Sequence, residues 1–186
     1  TDNYAVSLLS YEAMALYYYY SDISEEEKVK HVVENYEKGM EEAESYGSES
    51  HYWKFYHAKV ISQLTINSID CIGQVEKMLQ EVSEKHSDYG MIRVYHTLSF
   101  IYYYRDDMMM AVDVLRKAAS IGEEKIAEKD EKIATALYDL IYSSLADYLY
   151  QLKMYDEALE MTDKMEEFLQ TSPIFKDDVR QWRMRE

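Results

Sequence analysis

Residues 14–22, with the sequence MALYYYYSD, align without a gap with residues 98–106, LSFIYYYRD, at an offset of 84. Related stretches are HAKVI at residues 57–61 and LADYLY at residues 145–150. Neighbouring copies lie 43, 41 and 47 residues apart, measured between the small residues that anchor them, Ala15, Ala58, Ser99 and Ala146. Self-similarity at a spacing of this size is the signature of a protein built from repeated supersecondary units. The sequence therefore predicts four copies of one unit.

Each copy is expected to contain two helices separated by a short polar break. The breaks are at residues 21–24, 67–70, 105–107 and 153–156, and they contain Ser and Asp residues of the kind that cap helix N-termini. Beyond each break, apolar residues recur at helical spacing. These apolar positions are Val29, Val33, Tyr36 and Met40; Ile72, Val75, Leu79 and Val82; Ala111, Leu115 and Ala118; and Ala158, Leu159, Met165 and Leu169.

The pattern predicts an all-α protein of four helical hairpins, because 5 Gly and 1 Pro in 186 residues supply too few turns for a chain of β-hairpins. The hairpins are expected at about residues 3–46, 50–86, 88–128 and 130–170, with the start of a further helix at 173–186. Each helix carries an apolar stripe that is too wide to be covered by its partner helix within the hairpin alone. Neighbouring hairpins are therefore expected to stack into a single domain over residues 1–186.

Charge and composition argue against several classes of function. The chain has 20 Lys and Arg against 36 Asp and Glu, a formal net charge of −16, whereas nucleic acids and anionic membranes attract basic surfaces. The longest apolar run, residues 14–20, is far shorter than the ~20 residues that span a bilayer, so no membrane insertion is expected. The single cysteine, Cys71, excludes an intrachain disulfide and a zinc site built on several thiolates.

The sequence contains no constellation of catalytic residues. It has no Gly-rich phosphate loop, no paired His with an intervening Glu, and no Gly-x-Ser-x-Gly elbow. The five histidines are scattered and are interpreted as surface or groove residues: His31, His51, His57, His86 and His96. The sequence therefore predicts a protein without catalytic residues, metal or cofactor.

The last two copies share a characteristic set of residues. The first of them has Tyr95, Leu98, Ser99 and Tyr102, then Ala111, Leu115 and Ala118; the second has Tyr142, Leu145, Ala146 and Leu149, then YDEALE at residues 155–160. Over residues 89–170 this set resembles the tetratricopeptide repeat. The resemblance implies a right-handed superhelix in which small residues twelve apart, such as Ser99 and Ala111, meet at close helix crossings. A HEAT-type array, with repeats of ~40–47 residues, is the structural alternative. In the first copy the second helix lacks a clear small residue.

Tyrosine is unusually frequent, with 20 residues. Four successive residues at positions 17–20 step by about 100° each and pass right round a helix, so some must leave the core. Tyr18 and Tyr102 are expected to pack, because they share a stripe with Tyr11 and Met14 and with Tyr95 and Leu98. The residues expected to line a ligand-binding groove are Leu16, Tyr19, Tyr20, Arg93, His96, Phe100, Tyr103, Tyr104, Asp147 and Tyr150.

The first helices of tetratricopeptide solenoids line a concave surface that binds extended peptides, so the resemblance implies a non-catalytic scaffold whose partner is a protein or peptide. Rigid aromatic rings in such a groove supply contact area at low entropy cost. The alternative is an extracytoplasmic or input sensory region of a larger bacterial signalling receptor, such as a membrane histidine kinase. A start at Thr1 and an end at Glu186 suggest a trimmed piece of a longer protein, or one that has lost a signal peptide, and slightly favour a periplasmic over a cytoplasmic location. The oligomeric state is left open.

Overall fold

The computed structural model describes residues 2–125 and 130–171, and every regular element in them is helical. The all-α prediction is confirmed for these residues, and the helix predicted at 173–186 lies outside them. The elements are α1 (Asp2–Tyr20), α2 (Glu25–Ser45), α3 (Glu49–Asn67), α4 (Ile72–Glu84), α5 (Asp88–Tyr104), α6 (Met108–Lys125), α7 (Glu131–Ala136), a π-helical segment (Leu137–Tyr142), α8 (Ser143–Gln151) and α9 (Tyr155–Thr171).

Polar capping residues start several helices where the sequence predicts breaks. Ser24 and Glu27 form a reciprocal capping box at α2, in which each side chain accepts a hydrogen bond from the other residue's backbone N–H. The Ser87 hydroxyl oxygen accepts from the Gly90 N–H at 3.1 Å and starts α5. The last break is shorter than expected, because α9 already begins at Tyr155.

Within residues 2–125 and 130–171, four helices end in the same compact turn. One residue adopts a left-handed conformation, and the next residue donates a hydrogen bond to the carbonyl five positions earlier, as Asp107 does to Tyr102 at 2.9 Å. Glycine is the usual residue at the left-handed position, but only Gly47 follows that rule here. The other three left-handed residues in these turns are His86, Asp106 and Lys153, with φ of 53°, 61° and 63°.

The helices fall into two compact units, Thr1–Glu81 and Val82–Glu186. In the first unit, α2 packs against both α1 and α3. The closest approach is between Gly39 on α2 and Phe55 on α3, where a Cβ built on Gly39 would lie 2.9 Å from a ring carbon. Gly39 is the small residue that the sequence pattern of the first copy does not reveal. The core around it contains Leu8, Ala15, Val32, Tyr36, Phe55, Tyr56, Val60 and Val75.

In the second unit, α6 packs against α5, the π-helical segment and α8, while α9 packs against α8. Gly122 on α6 lies directly under Leu137, since a Cβ there would come within 2.5 Å of that side chain. Ser99 on α5 and Ala111 on α6 are both completely buried. The core contains Ile92, Leu98, Ile101, Ala111, Leu115, Leu137, Ile141, Leu145 and Leu149.

Some predicted packing positions are wrong. Met14 is exposed because α1 turns Leu8 and Ala15 towards its neighbours, which places Met14 at the margin of the buried face. Leu159 is exposed on α9, next to the buried Ala158. On α2, Val29 and Val33 are only partly buried, because the buried face is set by Val32, Tyr36, Gly39, Met40 and Ala43.

Candidate functional site

Most of the candidate groove residues of the second unit lie on α5. Arg93, His96 and Phe100 are spaced three and four apart, and the sequence predicts an exposed face for them. His96 instead is only 6% exposed, and its ring meets the Phe100 ring edge-on at 5.1 Å. The prediction of an exposed His96 is wrong because α5 is apolar on nearly all sides, and a helix of that kind is buried over most of its surface. Arg93 and Phe100 are partly buried.

Arg93 is an unusual cation in this acidic chain. Its Nε atom is buried without a hydrogen-bond partner, and its guanidinium donates a hydrogen bond to the hydroxyl of Tyr89, one turn earlier on α5. No carboxylate among the described residues forms an ion pair with it. Burial lowers the pKa of Arg93, and Tyr89 opposes that shift. A desolvated guanidinium without an anionic partner is costly, so the site favours an anion that can reach it.

Tyr103 connects α5 to α8. Its ring stacks on the ring of Tyr148, with centroids 5.0 Å apart and planes only 10° from parallel. Tyr148 is buried and shares a hydrogen bond with the Ser99 side chain, and burial raises its pKa to about 12. The stack leaves the Tyr103 side chain 37% exposed, and the neighbouring Tyr104 is more exposed still. An ordered aromatic surface therefore lies at the end of α5.

The two candidate groove residues on α8, Asp147 and Tyr150, lie away from the stack of Tyr103 on Tyr148. Asp147 is exposed and accepts a hydrogen bond from the Gln151 amide at 3.0 Å. Tyr150 is also exposed, and its ring contacts Tyr155 at the start of α9 with centroids 5.5 Å apart. Residues two positions apart on a helix point about 200° away from each other. Tyr150 therefore points away from the side of α8 on which Tyr148 meets Tyr103. The structure does not bring Tyr150 and Tyr103 together.

The three candidate groove residues of the first unit do not share one face. The Tyr19 hydroxyl donates a hydrogen bond to the Thr65 hydroxyl oxygen on α3 at 3.3 Å, so this side chain points towards α3. Leu16 and Tyr20, four residues apart, are both exposed on the outer side of α1. The outer residues and Tyr19 are therefore separate features.

The second unit also contains a cleft of about 280 Å³ that the sequence analysis missed. It lies between α6 and α9, with Leu145 and Leu149 of α8 at its base. Its charges neutralise one another across the opening, since Arg116 binds Glu157 at 2.5 Å and Lys164 lies 3.6 Å from Glu123. The sequence does contain a pattern that indicates this cleft. Polar residues recur at helical spacing on α6, at positions 116, 120 and 123, and on α9, at positions 157, 160 and 164.

Two further features bear on chemistry. In residues 2–125 and 130–171, no group of three or more His, Cys, Asp or Glu side chains is arranged to hold a metal ion. Across the same residues, no helix combines the length and the apolar character needed to cross a membrane.

Comparison of the chain with protein-family models, with curated proteins and with solved structures finds no match. The tetratricopeptide resemblance and the superhelical arrangement therefore stay predictions.

Proposed function

We propose that this protein is a non-catalytic scaffold that binds a segment of another protein on the surface formed by α5 and the facing side of α8. The observation that supports this proposal most directly is the ring of Tyr103, which is held in place by Tyr148 and still offers more than a third of its surface to a partner. Tyrosine and arginine are enriched among residues that dominate binding energy. A ring that is already ordered loses little conformational entropy on binding.

The charges of the two surfaces in the second unit favour α5 over the α6–α9 cleft. In the cleft, Arg116 and Lys164 already pair with carboxylates of the same unit, so a charged partner would have to replace existing ion pairs. At α5, Arg93 has no such pair among the described residues, and an incoming acid would add an interaction without breaking one. This difference favours a partner segment with an acidic group.

The distance along α5 sets the length of that segment. Arg93 and Tyr103 are ten residues apart, which corresponds to about 15 Å at 1.5 Å per residue. An extended chain covers this distance with about five residues. We therefore expect the bound segment to carry an acidic residue and an apolar or aromatic residue about five positions apart.

The test is a selection from random dodecapeptides displayed on phage, followed by titration of the enriched peptides against the purified chain. We expect enriched peptides with the acidic and apolar residues described above, and at least tenfold weaker binding to Tyr104→Ala and Arg93→Gln. Tyr104→Ala removes a ring that is 54% exposed, so folding is expected to be unchanged. Tyr150→Ala is the matched control, because it removes an exposed tyrosine on the opposite side of α8. Failure to enrich any peptide, or equal loss of binding in all three variants, would contradict the proposal.

A further inference from the structure

The outer face of α1 carries a continuous apolar stripe. Its members recur at helical spacing within about 100° of the helix circumference, opposite the buried Leu8 and Ala15. They are Val6, Leu9, Ala13, Leu16, Tyr17 and Tyr20, and all of them are exposed. A helix that is apolar on both its inner and its outer side is normally buried on both. No described residue of the chain covers the outer side of α1, which is therefore a surface available to a partner.

The stripe contains no charge, although the chain as a whole has a net charge of −16. The only charged side chain described on α1 is Glu12, which lies outside the stripe and forms an ion pair with Lys54 of α3 at 2.8 Å. Two copies of an acidic protein repel each other wherever carboxylates meet. The six side chains of the α1 stripe contribute no carboxylate to a contact between two copies.

The area of the stripe fits a dimer interface. Tyr17 and Tyr20 are 66% and 80% exposed, so at roughly 200 Å² for a tyrosine side chain they present about 300 Å². The remaining members bring the stripe to on the order of 600 Å², the upper end of the ~300–600 Å² found for the largest apolar patch on a monomer. Each partner in a stable dimer buries ~800 Å², and the stripe alone supplies about three quarters of that area.

We propose that the chain forms a two-fold symmetric homodimer in which the α1 stripes of two copies pack against each other. In an interface of this symmetry the same surface is used twice, and a residue at the axis meets its own copy. Ala13 lies midway between Val6 and Tyr20, and its small side chain allows close approach of the two helices. This interface is independent of the α5 surface proposed above for partner binding.

The first measurement is sedimentation velocity of the full chain from about 1 to 200 µM. We expect a species of twice the 22.1 kDa chain mass. The association should strengthen as salt rises from about 50 to 500 mM, because screening reduces repulsion between the acidic copies while the apolar contact persists. A monomer throughout this range would overturn the proposal and would indicate that the stripe is covered by another protein or by a segment of a longer chain.

Two substitutions form a matched pair that locates the interface. Leu9 on the stripe and Leu159 on α9 are 63% and 62% exposed, so a charge at either position disturbs folding equally little. Leu9→Glu should raise the dimer dissociation constant at least tenfold, whereas Leu159→Glu should leave it unchanged. Equal effects of the two substitutions, or none from Leu9→Glu, would place the contact elsewhere. Circular dichroism spectra of both variants should match that of the parent chain, which would show that both are folded.

Cross-linking supplies an independent readout. Cys71 is the only cysteine of the chain and is buried, so it contributes no intermolecular disulfide while the chain is folded. Ala13→Cys should give a disulfide-linked dimer under mild oxidation, because residue 13 meets its own copy at the axis. Leu159→Cys, equally accessible but outside the stripe, should remain monomeric on a non-reducing gel. Equal cross-linking of both variants would argue for random collision and against this interface.

Discussion

The crossing of α2 and α3 can be tested with one added methyl group. In Gly39→Ala, the new Cβ would lie 2.9 to 3.0 Å from three carbons of the Phe55 ring. Phe55 is completely buried, and its ring also contacts Tyr36, so it has no free space into which to move. We expect the substitution to destabilise the protein, although alanine is the better helix former.

The size of the effect follows from two opposing terms. Alanine in place of glycine inside a helix stabilises by up to ~1 kcal/mol through helix propensity. Forcing an extra methyl group into a packed core costs ~1–3 kcal/mol. Because the contact is with a rigid ring rather than the end of a flexible chain, we expect the cost to dominate and the free energy of unfolding to fall by ~1–2 kcal/mol.

Urea unfolding followed by far-ultraviolet circular dichroism measures this change, with Gly73→Ala as the control. Gly73 lies in the first turn of α4, and a Cβ there would meet nothing within 4 Å, so its replacement should leave stability equal or slightly higher. The double variant Gly39→Ala with Phe55→Leu should lose less stability than the sum of the two single changes, because the smaller side chain makes room for the methyl group. If Gly39→Ala stabilises the protein as helix propensity alone predicts, the helices do not approach as closely as the structure indicates.

Three further measurements test local features. Lys153→Gly should raise the free energy of unfolding by ~0.5–1 kcal/mol in urea melts, because Lys153 has a φ of 63° that glycine adopts without strain; an unchanged or lower value would argue against strain there. Burial raises the pKa of Tyr148 from 10.0 to about 12, so its contribution to stability is complete below pH 10 and is lost as the pH rises to about 12. Tyr148→Phe should therefore reduce the fall in the urea midpoint over this interval, and an identical fall would refute the assignment. Cys71 is buried, and burial raises the pKa of its thiol, so a colorimetric thiol reagent should react rapidly only after the protein is unfolded in urea; rapid reaction of the native protein would contradict its placement.

The helical class and most helix boundaries could be predicted because they depend on local chemistry. The break at residues 21–24 contains Ser21, Asp22 and Ser24. A glutamate follows Ser24 three positions later, and the structure has a capping box there. The break at residues 105–107 contains two aspartates, a residue type that caps helix N-termini, and it matches the end of α5 and the start of α6. Both signals are contained within a few residues, so no knowledge of packing was needed.

The small residue on α2 was missed because its role depends on another helix. The sequence predicts no clear small residue on this helix, because a lone glycine within a helical pattern does not by itself indicate a close helix crossing. With Val32, Tyr36 and Ala43 it completes a stripe at spacings of four, three and four. The stripe could have been read from the sequence, whereas the Phe55 ring that requires a glycine at this point could not.

In the candidate site too, features that depend on one helix could be predicted, whereas those that depend on packing between helices could not. Tyr103 and Tyr104 lie on the exposed part of α5, as their position beside the packing stripe predicts, while His96 is buried. Periodicity assigns a residue to a side of its own helix, but burial also depends on what covers that side. The stack of Tyr103 on Tyr148 joins residues on two helices and depends on the direction in which α8 leaves the π-helical segment.

The direction of α8 follows from a pattern of apolar residues in the sequence. Ile133, Leu137, Ile141, Leu145 and Leu149 follow one another at intervals of four, and all five are buried. In a regular α-helix each such interval rotates the side chain by about 40°, so four intervals would carry the stripe almost to the opposite face. The i→i+5 hydrogen bonds of the π-helical segment place more residues in each turn and reduce this rotation. Leu145 and Leu149 consequently stay on the side of α8 that borders α6, and Tyr148 between them is turned towards α5, where it holds Tyr103 in place. The strict four-residue spacing is therefore a sequence signal both for the π-helical segment and for the aromatic stack that depends on it.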